Sequence, residues 1–572
     1  MEMVKLLLDY ANRHNIIMNL NEKNSNKSSL VMLAIHNKNT EIVKLFLDYA
    51  KEHNINLEIN EKNNYQWSSF QIAVDINSIE IVNLLIDYAT EHNIILEIND
   101  KRPDGISSML HAVNKDNREM VNLLIDYANR HQIILDINEK NSNKSSLVML
   151  AIHNNNAEIV KLLIDYAKEH NIILEINEKN NYQWSSFQLA IDINNTEIVR
   201  LLTDYADENN IIMELNDKNP NRNSTILHAV KKDNIEIVNL LMDYANKHQI
   251  ILEINEKDEN GLSPLLWANN ASNNNAEMVK LLIYYANKKN IILNLNEKNN
   301  NNSSVIMLAI HNNNVEIVKL LLHYAKEHNI ILELNEKNNY QWSTFQLAID
   351  INSIEIVNLL IDYANEHNII LEMNDTRPDG NSSMLHAVKK DNREVVNLLM
   401  NYANKHNIIL EINEKDKNGQ SPLLWANDVS NNNTEMVKLL MDYANKHGII
   451  LDVNERNNRR YSSLILAIAN TNITAIKLLI DYAKEHNIIL KMEPGDEYKL
   501  ENITTEIIEL LYDYEKVGGI DVSNFISFKK YKIMNLNGIN EKVINKLYIK
   551  IYNIYNLYTN LYINMHNLYI NT

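Results

Sequence analysis

Histidine is the first residue type here that invites chemistry. It recurs at His14, His53, His92, His131, His170, His248 and His328, each time near the end of an apolar run. A row of imidazoles suggests metal binding, but the spacing argues against it. The first four steps are each 39 residues, as in 53 − 14. If each step is one stacked helical unit, neighbours lie about 10 Å apart, whereas a zinc ion needs ligands at about 2 Å. No two members can share an ion, so the imidazoles read as donors or cations at helix C-termini. Cysteine is absent, which removes disulfides and thiolate sites. No metal or cofactor is expected.

The carboxylates follow the same rule. Asp-Tyr-Ala recurs at Asp9, Asp48, Asp87, Asp126, Asp165, Asp204 and Asp243, again 39 residues apart. One Asp per step is not a catalytic pair, and it reads as a solvated or inter-repeat hydrogen-bonding position. Only 9 glycines occur, and no phosphate loop, nucleophile elbow, metal motif or kinase set is present. No catalytic residue is expected, so the chain reads as a non-enzyme. Large aromatics are the other candidates, because they anchor interfaces. Tyr65 and Trp67, Tyr182 and Trp184, and Tyr340 and Trp342 each stand just before a serine. Alternatively, each Trp packs flat on its neighbour.

The elements that position these residues come from the period. A fixed step of this length marks an array of one supersecondary unit whose neighbours bury each other's apolar faces. In one unit, Ser107 to Asn114 is a two-turn helix with Ser near its N-cap. Arg118 to His131 is a longer helix with an apolar surface wider than one stripe, as packing between two neighbours requires. Gln132 to Asn138 is β-branched and leaves the helix as an extended segment. A Ser ladder runs through the array (Ser29, Ser68, Ser107, Ser146 and onward), and Ala34, Ala73 and Ala112 follow it by five residues. Small Ala lets the two helices approach; a large residue would overpack the stack. Ser263 to Ser304 and Ser421 to Ser462 are steps of 41, by 304 − 263 and 462 − 421. The extra pair falls in the Asn-rich loops between the helices, where insertion costs little.

These residues resemble the ankyrin repeat. Gly261 to Leu265 and Gly419 to Leu423 are similar to its Gly-x-Thr-Pro-Leu helix entry. Glu41 to Leu45 resembles its second helix, and Asp136-Ile137-Asn138 its exit. There are departures. Leu110 and Leu266 stand where the family has His, and Ala50, Ala89 and Ala128 stand where a Gly usually ends the second helix. Ala lets the helix run on, so the second helix is expected to be longer by a turn or more. The resemblance places Tyr65, Trp67 and their counterparts on hairpin tips that meet partners. It places the residue seven after each ladder Ser on the concave face; that row includes His36, Asp75, Asn114, Asp192, Lys231 and Asp350.

The repeats come in four flavours. Trp184 to Trp342, His228 to His386 and Trp267 to Trp425 are each 158 residues apart, which reads as duplication of a four-repeat block. Residues 1–22 read as a partial repeat holding only the second helix, and so as a fragment or truncated gene model. Residues 23–492 read as about twelve repeats, 493–525 as a degenerate final repeat, and 526–572 as a Tyr/Ile/Asn/Lys tail. That tail reads as a partner-binding or membrane-peripheral segment, or as read-through of AT-rich non-coding sequence. Over-use of Asn, Ile, Lys and Tyr reads as codon bias.

Lys and Arg total 55 against 74 Asp and Glu, a formal charge of −19. Such a chain repels phosphate backbones and anionic lipid, so neither nucleic acid nor membrane is expected as a partner. Met1 to Tyr10 is too short for a signal peptide, and a cytoplasmic monomer is expected. The sequence therefore reads as an α-helical ankyrin-type solenoid with hairpin-like tips. Its expected role is a non-catalytic protein–protein interaction scaffold or adaptor binding a protein partner. Two other readings stay open: a recruitment arm of an enzyme whose catalytic domain lies elsewhere, or a decayed member of an expanded repeat family.

Overall fold

The computed structural model describes residues 2–270, 274–377, 379–428, 432–493, 496 and 503–522. The tail expected at 526–572 lies outside them. The chain divides into two compact units, 1–300 and 301–572. Each is a stack of helix pairs. The first unit runs from the single helix Glu2–Arg13 through pairs such as Ser69–Asp75 with Ile79–Glu91, and ends at Ala276–Lys289. The second runs from Val305–His311 to Ile473–Glu485, then to a last helix, Thr505–Val517. Its one short parallel pair joins Leu490–Lys491 to Ile520–Asp521. Among the described residues no helix is long and apolar enough to cross a membrane.

Each first helix spans only five or seven residues, too short to persist alone. Except at Ser224, it starts where the ladder Ser accepts the N–H three residues on, as Ser107 does from Leu110 at 3.1 Å. Ser68, Ser185 and Ser343 complete a capping box with Gln71, Gln188 and Gln346. The helix ends in a turn whose pivot has positive φ, such as Asn77, Asn155 or Asn194. Asn tolerates that conformation better than other non-Gly residues. The residue after the pivot then caps the second helix; it is Ser at Ser78 and Ser353 and otherwise Asn, such as Asn195, which accepts from Ile198 N at 3.0 Å. Asn thus fills one or both of these structural positions in the described repeats, beyond any codon bias. The two-residue insertions do fall between the helices, after Pro264–Ala268 and Pro422–Ala426.

The second helix passes Ala50 and Ala89 only as far as Glu52 and Glu91, and passes Ala128 to His131. That is less than the extra turn expected from the sequence. A left-handed residue stops it (Asn54, Asn93, Gln132), and the remaining extra residues form the exit. Tyrosine explains why that exit is ordered. Tyr205 accepts a hydrogen bond from Leu174 N at 3.0 Å and donates one to Ile172 O at 3.1 Å, both in the preceding repeat. Tyr88, Tyr244, Tyr363 and Tyr402 do the same one repeat back. Exit asparagines add a second tie: Asn177 donates to Ile212 O at 2.8 Å. The extended exit therefore leaves no stranded backbone polar groups at these points. Between the helices lie fully buried Ala190, Val199 and Leu202.

Candidate partner-binding site

The tips are tight hairpins. In the second full repeat Asn63 N donates to Trp67 O at 3.1 Å, and Gln66 turns the chain at φ 60°. Asn63 Oδ1 accepts from both Tyr65 N and Trp67 N, fixing the loop. This leaves Tyr65 outside, 62% exposed; Tyr182 and Tyr340 are 61% and 65% exposed. The three tryptophans are half-buried instead, because each meets the next repeat.

Three cross-repeat clusters result, and they join the tip row to the aspartate row. In the first, the Arg102 guanidinium lies 4.4 Å over the Trp67 ring and donates to Asp75 Oδ1 at 2.7 Å. His111 stands 3.4 Å from Arg102 and 3.7 Å from Asp75. In the second unit Arg377 lies 3.8 Å over Trp342 and donates to His386 Nδ1 at 2.7 Å. His386 Nε2 sits 2.7 Å from Asp350 Oδ1, off the line of a good hydrogen bond. In the third cluster Asn219 replaces the Arg. Its carboxamide meets His228 Nδ1 at 3.1 Å, His228 Nε2 meets Asp192 at 3.0 Å, and Trp184 meets the imidazole edge-on at 6.0 Å. All nine candidate residues therefore sit in three copies of one arrangement. The tyrosines form its open rim, and the tryptophans and aspartates form its packed part.

The electrostatics follow from burial. Guanidinium has no acceptor, so His386 Nδ1 must be unprotonated and its N–H is on Nε2, facing Asp350. Burial first, then the Arg377 charge, hold His386 down at about 4. His228 and His111 are also lowered, chiefly by burial. These are neutral imidazoles at neutral pH. With both nitrogens of His386 facing neighbours, no lone pair is free to take a substrate proton.

The repeat geometry is matched by a family model. Ankyrin repeats (3 copies) match residues 1–96, 108–213, 228–331, 270–370 and 384–489. The chain belongs to the ankyrin-repeat family. Among solved structures it is similar to the ankyrin repeat domain of Bcl-3, described as a unique member of the IkappaB protein family. That match has 20% identity, covers 45% of this chain and 99% of that one, and has a TM-score of 0.33. No curated protein matches this sequence.

Within this ankyrin array the histidine ladder has a mechanical role. His53 packs on Tyr49 four residues earlier, at 4.3 Å between rings, and its Nε2 meets Asn12 Oδ1 at 2.7 Å in the preceding repeat. His170 and His248 repeat this with Asn129 and Asp207. Among the described residues no group of three or more His, Asp or Glu side chains could hold a metal ion. The ladder aspartates Asp87, Asp165 and Asp204 are exposed.

Arg102, Arg377, His111, His228 and His386 were not singled out from the sequence as site residues. A signal existed. Arg102 lies 35 residues after Trp67 (102 − 67), one repeat less four, so it stands on the next tip. His228 and His386 shared the block period without being paired to the aspartates one repeat earlier.

Proposed function

We propose that this ankyrin array is a non-catalytic scaffold or adaptor. It binds a protein partner through the tip tyrosines Tyr65, Tyr182 and Tyr340 and the neighbouring row at Asp75, Asp192 and Asp350. The observation that carries this reading is the threefold recurrence of one preorganised cluster, each with an exposed phenol ring beside it. An exposed Tyr on a rigid base loses little conformational freedom on binding, which favours it as an anchor. Trp67, Trp184 and Trp342, half-buried against the next repeat, support the tips that carry the phenols.

The whole chain, used as bait, should capture a protein partner whose affinity can then be measured by calorimetry. Tyr182→Ala should weaken that affinity roughly tenfold and leave the urea melt unchanged. Trp184→Ala should weaken binding and also lower the melt. Unchanged affinity in all of Tyr65→Ala, Tyr182→Ala and Tyr340→Ala refutes the tips as the binding edge.

A further inference from the structure

One junction between repeats is built differently from its counterparts. Where a repeat bearing His-Ala-Val is followed by one bearing Leu-Leu-Trp, the Trp fills the space between the two first helices. Trp267 packs under Lys231, with 4.7 Å from Nζ to the ring, and donates its indole N–H to Asp258 Oδ2 at 3.0 Å. Trp425 does the same with Lys389 at 4.9 Å and Asp416 at 3.2 Å. At the first such place the Trp-bearing repeat is missing. Leu150 stands at the Trp position, four residues after the ladder serine Ser146, and Asn114 stands at the Lys position. The space is left as a cavity of about 130 Å³. Its floor is buried Leu110, His111 and Leu150, its walls are Ile106 and Asn141, and its rim includes Asp104.

We infer that this cavity is a pocket for one aromatic side chain of a protein partner, tyrosine in preference to tryptophan. Size is the first argument. A cavity of about 150 Å³ takes one benzene ring, so this one suits a six-membered ring. Precedent within the chain is the second, since an aromatic ring of its own fills the equivalent space twice. Polarity selects the ring. Asp258 Oδ1 holds its turn by accepting from Asn260 N and Leu262 N, which leaves Oδ2 for the indole N–H. Asn141 Oδ1 holds the same turn by accepting from Asn143 N and Ser145 N. Its amide N–H2 therefore occupies the place of Asp258 Oδ2 and offers donors where the sister site offers an acceptor. At the place of Asp258 Oδ2 an indole N–H meets no acceptor, whereas a phenol oxygen meets a donor; the Asp104 carboxylate stands at the rim.

The inference rests on the proposed protein-binding role, and its test does not need the natural partner. The whole chain is titrated with p-cresol and with 3-methylindole, the side-chain analogues of Tyr and Trp, while the Leu150 methyl signals are followed by NMR. Wild type should bind p-cresol in the millimolar range and several-fold tighter than 3-methylindole. Leu150→Trp should fill its own pocket, keep or raise the melting temperature, and lose at least tenfold in p-cresol affinity. Asn141→Asp keeps the turn, as Asp258 and Asp416 show, and should reverse the preference toward 3-methylindole. Absence of p-cresol binding, or binding that survives in Leu150→Trp, overturns the pocket. An unreversed preference in Asn141→Asp overturns the choice of ring. If p-cresol binds as described but no protein is captured by the chain, the adaptor reading fails while the pocket stands.

Discussion

Tyr205→Phe isolates the joint between adjacent repeats. The Tyr205 ring is fully buried, so the change removes one oxygen and little packing. That oxygen accepts from Leu174 N and donates to Ile172 O, and Leu174 is itself buried. Losing it leaves the buried Leu174 N–H and the part-buried Ile172 C=O without this partner. An unsatisfied buried group costs about 1–3 kcal/mol. Part of this is offset because the phenol no longer has to be desolvated, so the net loss should be about 1–2 kcal/mol. Burial raises the pKa of this hydroxyl, so it stays protonated and able to donate across the neutral range. A urea melt gives the global loss, and native-state hydrogen exchange shows where it falls. The Leu174 amide should lose most of its protection, while amides several repeats away keep theirs, because each repeat couples only to its neighbours. Full protection at Leu174 together with a loss below about 0.3 kcal/mol would refute the claim that this hydroxyl ties the exit down; that threshold sits well under the range for one hydrogen bond.

Other substitutions probe separate parts of the stack. Ala190→Phe forces a ring into a fully buried site between two helices and should cost about 1–3 kcal/mol by urea melt; an unchanged melt would contradict the packing described. Burial pushes the Glu414 carboxyl up to about 8, while the Ser382 N–H at 3.3 Å works in the opposite direction. Its folded pKa is thus above its unfolded one, so the folded state holds the proton more tightly and stability falls as pH rises from about 4.5 to 8. Glu414→Gln should be neutral near pH 4 and stabilising by about 1–2 kcal/mol above pH 8, after allowing for partial solvent screening. A difference between the two proteins that does not grow with pH would refute that assignment.

Much of the fold was legible because its determinants recur. Ser107 and Ser146 announced helix entries by type and spacing, and Ala112 and Ala190 announced close helix approach. The helix stop was misjudged for a physical reason. Without Gly after Ala50, the helix was expected to gain a turn, but Asn54 takes the left-handed conformation with a side chain present. A tyrosine such as Tyr49 or Tyr205 stands in each Asp-Tyr-Ala motif, beside an aspartate whose charge is the more obvious sign of chemistry. The tyrosine's work depends on where the preceding exit lies, and periodicity does not give that. The Trp–Arg–His–Asp clusters were half legible for the same reason. Period places Trp67 and Arg102 on successive tips, whereas the 4.4 Å stacking between them is a property of how the tips are inclined.

The tyrosine joints have a consequence for how such a chain can change over generations. Tyr88 and Tyr205 address only main-chain groups of the previous repeat, and Asn60 and Asn177 address a main-chain carbonyl of the next one. Main chain is the same whatever side chains the neighbour carries. These main-chain ties can therefore form between any two copies, whereas side-chain clusters such as Trp67 with Arg102 and Asp75 need matching copies on both sides. Whole copies can be gained, dropped or reordered by recombination while the remainder stays correctly joined. At the junction between His111 and Leu150 a repeat of another flavour follows in place of a Trp-bearing one, and the joint there closes in the same way, through Tyr166 on Leu135 N at 2.9 Å.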